Sequence, residues 1–170
     1  MKYLNFTITI LICFIYGQGA YAAENQTLSE QEDIVNFTKE LIEKVPLSVE
    51  ILTEMVPGAN FKKINTHIVS YDTYICENVN KYIKEIKIRT TNLPGKKAGS
   101  HTSVQFYDLK FNQDDVIKYF GKSLELDVPT ANSPVSVPNY YTYITKWGSY
   151  SFGISRTNQN VVSLIVEEKE

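Results

Sequence analysis

The stretch YYTYITKWGSYSFGIS, residues 140–155, constrains the fold most, because its rings alternate with polar residues across a glycine. With Gly148 and Ser149 as the central pair of a type II′ turn, the form that takes glycine first and suits a hairpin, Trp147 faces Tyr150, Thr145 faces Phe152 and Tyr143 faces Ile154. Facing residues point to the same side, so Tyr141, Tyr143, Trp147, Tyr150, Phe152 and Ile154 form one apolar face. Thr142, Lys146, Ser151, Gly153 and Ser155 form the other. A three-residue loop at 158–160, with Asn160 left-handed, would set Leu164 opposite Ile154 and Val166 opposite Phe152. The rings are therefore expected to be core in a three-stranded antiparallel meander. Tyr140 and Ile144 fall on the polar face, where they either cover Gly153 or touch a partner.

Upstream, YIKEIKIRTT at 82–91 alternates Ile86 and Ile88 with Lys87 and Arg89, which predicts a strand. The turn-rich NLPGKKAGS follows, and HTSVQFYDLKF at 101–111 returns as its antiparallel partner. Val104 and Phe106 share one parity and Leu109 and Phe111 the other, so a bulge near Tyr107 and Asp108 would keep both pairs inside. The segment NTHIVSYDTYICEN, rich in β-branched and aromatic residues, is also expected to be extended.

Three helices are expected. Ser29 and Glu32 have capping-box spacing ahead of Ile34, Val35, Leu41, Ile42 and Val45, which predicts a helix over about 30–45, stopped by Pro46. Ser48 caps a shorter one through Val49, Leu52, Met55 and Val56, completing a helical hairpin. Asn112 opens the third, with Asp114 and Asp115 at its positive end and Val116, Ile117, Phe120 and Leu124 as its stripe. The proline-rich LDVPTANSPVSVPN lacks periodicity and reads as a long connection. The fold class is thus α+β: a helical hairpin and one further helix packed on a mainly antiparallel sheet that ends in the meander.

The N-terminus is read as a secretory signal peptide, since Lys2 precedes a short apolar run that ends in small residues at Ala20 and Ala22. Cleavage after Ala22 would leave one domain, 23–170, periplasmic or secreted and without a transmembrane segment. Cys13 follows Ile12, where lipoprotein processing wants a small residue. Its removal leaves Cys76 alone, unable to form an internal disulfide and expected to be a small buried hydrophobe. The full chain's net charge of −2 becomes one unit more negative without Lys2, which disfavours nucleic acid as a partner.

No Walker or Rossmann glycine pattern, no HExxH or CxxC spacing and no GxSxG elbow occurs, so no cofactor or metal is expected. The paired Asp114 and Asp115 are accounted for by a helix N-terminus. The expected function is non-enzymatic binding of another protein in the cell envelope, of the inhibitor or immunity-antitoxin kind. Alternatives are a small periplasmic hydrolase with His67 or His101 as base, and an envelope ligand-binding or scaffold protein. Recognition is assigned to the loops 93–100 and 126–139, with Lys96 and Lys97 at the tip of the first, and to Tyr140 and Ile144.

Overall fold

The computed structural model of the protein describes residues 29–67, 70–91 and 100–169. Chain contacts divide at Asn36/Phe37. The described part of the first unit, residues 29–36, is helical and buries Ile34 and Val35. Everything below belongs to the second unit.

Residues 37–43 are helical, the described part of helix α1 (29–43) in this unit, and bury Thr38 and Leu41. Helix α2 (Val49–Met55) starts where expected: the Ser48 hydroxyl accepts from the Ile51 N–H at 3.3 Å, and Leu52 is buried. Helix α3 (Gln113–Phe120) carries a full capping box, in which the Asn112 side chain accepts from Asp114 and Asp115 and the Asp115 carboxylate accepts from the Asn112 N–H. It is shorter than its apolar stripe suggests. Gly121 caps it with φ +82°, and the chain then leaves the helix axis, so Leu124 is not part of the stripe and is exposed.

The strands are β1 (Lys62–Ile64), β2 (Tyr71–Glu77), β3 (Ile83–Thr91), β4 (His101–Phe106), β5 (Glu125–Asp127), β6 (Asn139–Ile144), β7 (Gly148–Ile154) and β8 (Val161–Glu168). All neighbours pair antiparallel, in the order β1-β2-β3-β4-β8-β7-β6-β5. The fold is α+β with a C-terminal meander, as its pattern of elements requires. The last strand is central because its apolar run, with Val161, Leu164 and Val166 fully buried, needs cover that no edge provides.

One row crosses the inner face through consecutive pairs: Cys76, Ile86, Val104, Leu164, Phe152, Tyr141 and Leu126. From Ile86 to Phe152 its members are fully buried, each contributing about 1.5–3 kcal/mol by removal from water. Phe120 of α3 lies on Phe152 with ring centroids 4.9 Å apart, which places α3 on this face.

Parity explains the sheet's two bulges. Ile83 and Ile86 are three apart, as are Val161 and Leu164, yet all four are buried. An extra residue in each strand, Lys84 in β3 and Val162 in β8, brings both members of each pair to the inner face. The bulge expected at Tyr107 and Asp108 is not formed. The strand ends at Phe106 instead, and the irregular segment after it turns Leu109 and Phe111 back into the core.

The hairpin register also differs from expectation. Tyr143 faces Tyr150 and Tyr141 faces Phe152, because the turn is centred on Lys146 and Trp147 instead of Gly148 and Ser149, closed by the Thr145 N–H donating to the Gly148 carbonyl at 2.9 Å. Likewise Leu164 faces Phe152 and Val166 faces Tyr150, and the left-handed residue of the last loop is Gln159, φ +60°, not Asn160. Away from the β8 bulge both pairings moved by an even number of residues, so Tyr141, Tyr143, Tyr150, Phe152, Leu164 and Val166 kept their expected face, and the bulge adds Val161 to it. The 65–78 segment becomes β2 preceded by a short separate strand, β1. The expected loop after α3 begins as strand β5.

Tyr143 stacks on Tyr150 at 4.8 Å, and its hydroxyl donates to the Gly121 carbonyl at 2.7 Å. Burial, and then the neighbouring Tyr150, push its phenol up to about 12. The unfolded chain therefore loses this proton first as pH rises. Its contribution is complete below about pH 10 and is lost between about 10 and 12. Tyr143→Phe is expected to cost about 1 kcal/mol near neutrality, through the unpaired carbonyl, and to flatten the alkaline loss. Urea titrations of both proteins across that pH range read this out.

Candidate binding site

Two features of the sheet's outer face and far edge stand out. The first is a cleft of about 340 Å³ lined by Lys84, Ser103, Gln105, Tyr140, Val162 and Ser163, with Ser136 and Pro138 on its rim. Both bulged residues line it, so the irregularities that repair the inner face also shape this hollow. Beneath it Tyr140, Gly153, Ser163 and Gln105 are paired in that order. Gly153 keeps the floor low: a Cβ there would collide with the Ser163 hydroxyl and lie 3.1 Å from both Pro138 and Tyr140. The ring of Tyr140 therefore covers Gly153, one of the two roles open to it from sequence. Two turns, with N–H donation from Ser133 to Thr130 and from Val137 to Pro134, deliver Pro138 to this place.

The second feature is the β5 edge. Leu124, Leu126 and Val128 alternate with Glu125 and Asp127, the pattern of a strand with one apolar and one acidic side. Pairing puts Leu126 beside Tyr141 on the inner face, and Glu125 beside Thr142 and Asp127 beside Tyr140 on the outer. Leu126 ends the apolar row that starts at Cys76, yet it is 53% exposed, with Leu124 at 73% and Val128 at 56%. Ile144, 44% exposed, closes the same end of β6. No family model, curated protein or solved structure matches this chain. The site therefore rests on its own geometry.

Of the residues expected to carry recognition, Tyr140 and Ile144 lie on one face of β6, two alternating positions apart, with Tyr140 in the cleft and Ile144 at the strand's end. Lys96 and Lys97 lie outside the described residues, as does most of the 93–100 loop. The sequence pattern puts Leu126 in the proline-rich connection, whereas the structure places it in β5. The signal for that strand is the alternation LELDV, which is divided in sequence between the helix stripe at Leu124 and the proline-rich connection from Leu126.

His101 Nδ1 lies 3.1 Å from the Glu167 carboxylate across the β4–β8 pair, so the histidine has its acid. The hydroxyl facing Glu167 is Ser149, on the far side of the carboxylate from the imidazole, the reverse of the order a nucleophile–base–acid relay needs. His67 is exposed. Cys76 is buried and borders a second cleft of about 300 Å³ with Lys62, Glu77 and Asn78. Among the described residues no group of His, Cys, Asp and Glu could hold a metal ion, and no helix is long and apolar enough to cross a membrane.

Proposed function

We propose that this chain is an exported, non-enzymatic protein that binds another protein in the cell envelope, of the inhibitor or immunity-protein type, through the β5–β6 edge of its sheet. The carrying observation is the exposed Leu126 of β5, flanked by the exposed Leu124 and Val128, where the core's own row reaches the sheet boundary. Scattered apolar residues on a surface need no explanation, but a contiguous strip on an edge with no described strand beyond it is an association site or an aggregation hazard. The N-terminal apolar run supports export.

The test is capture of a defined partner from the native envelope by the mature chain beginning at Ala23. Leu126→Asp is expected to abolish that capture without lowering the melting temperature by more than a few degrees, because Leu126 is half exposed. Lys84→Glu, in the cleft, is expected to leave capture unchanged. Capture that survives Leu126→Asp and is lost with Lys84→Glu would move the site to the cleft and favour ligand binding.

A further inference from the structure

Resting on the protein-binding reading above, we infer that the β5 edge takes an added strand from its partner, and that the strand alternates apolar side chains with lysine or arginine. The edge itself supplies the argument. An antiparallel strand laid against β5 continues both faces of the sheet, so its inward side chains extend the row that ends at Leu126 and its outward ones lie beside Glu125 and Asp127. Opposite charge is favoured at those outward positions and like charge is penalised.

A second copy of the chain is the wrong occupant. In any two-fold antiparallel pairing of β5 with itself that keeps the faces continuous, an acidic residue stands opposite an acidic residue: Glu125 against Asp127, or each against its own copy. A two-fold that swaps the faces sets the same carboxylates against leucines. Head-to-tail addition of β1 fares little better. On that edge Lys63 pairs with Tyr74 on the inner side and is bonded to Asp72, leaving Lys62 as the one outward cation in β1. The chain's own AENQTL segment, 23–28, carries Glu24 and no lysine or arginine. The short length of β5 and its acidic side exclude indiscriminate pairing, as edge strands commonly must, while leaving the apolar side open to a basic strand.

The probes are two synthetic peptides, one alternating valine with lysine and one alternating valine with glutamate, titrated into the mature protein. The lysine peptide is expected to bind, to weaken as salt rises, and to slow hydrogen exchange at the β5 amides, whereas the glutamate peptide neither binds nor slows exchange there. Glu125→Lys with Asp127→Lys is expected to weaken the lysine peptide about tenfold and to admit the glutamate peptide, with the melting temperature nearly unchanged. Equal binding of both peptides, a preference that survives the charge reversal, protection elsewhere than β5, or self-association through β5 in sedimentation would each overturn strand addition. If neither peptide binds while capture of the native partner still depends on Leu126, strand addition falls and the protein-binding reading stands. If the lysine peptide behaves as expected and no partner is captured, the edge chemistry stands and that reading falls.

Discussion

Phe152→Ala is expected to destabilise the protein by about 3–5 kcal/mol, while Ser151→Ala, one residue away, costs about 1 kcal/mol or less. Phe152 is 0% exposed, sits mid-row between Leu164 and Tyr141, and touches Phe120 of α3, so its removal opens a cavity where sheet and helix meet. The structure around it can collapse only by moving a helix. Ser151 points the other way and loses one part-buried hydroxyl bond to Thr142, at 2.8 Å. Denaturant melts of both variants measure the difference, and similar losses would contradict the assignment of the two faces.

Gly148→Ala is expected to cost on the order of 3 kcal/mol or more, a large effect for one added methyl group. Gly148 has φ +154°, a backbone region that L side chains rarely adopt. Its Cβ would collide with the carbonyl oxygen of Glu167 and come within 3.0 Å of the Glu168 Cα. These are backbone atoms of the neighbouring strand, so no rotamer change relieves the clash. Either β7 separates from β8 at that end or the loop at 145–148, held by Thr145 bonds to both the amide and the carbonyl of Gly148, must rearrange. Gly121→Ala is the informative comparison: it shares a positive φ, +82°, but its Cβ would meet nothing within 4 Å, so it should show the conformational penalty of about 1–2 kcal/mol without the collision. Thermal melts of the two variants separate these contributions.

The alternation of residues 139–155 and 163–168 settled which side chains face the core, because a strand's period of two is a local property of the backbone, whereas Val161 reaches the core only through a bulge. Helix starts were legible for the same reason: Ser48 and Asn112 satisfy amides only two or three residues away. The α+β class followed from those faces and caps. Register did not, since both predicted pairings slid by an even number of residues. Hydrophobic pattern forbids an odd slip and is indifferent to an even one, and the choice falls to loop geometry and to contacts such as Gly148 against Glu167.

Tertiary structure alone decided the order of strands, which brings β8 between β4 and β7, and with it the cleft, whose walls come from segments separated by dozens of residues. It alone made β5 an edge as well. Leu126 is apolar in sequence whether it lies in a helix stripe, in a loop or on a strand. Only the pairing with Tyr141, and the lack of a described strand on its other side, turn it into an exposed end of the core. The sequence by itself determined what each residue prefers to touch, through short-range periodicity and capping. The tertiary structure decided which of those preferences stay unsatisfied, because that depends on the neighbours the whole chain supplies, and at β5 the unsatisfied side is the apolar one.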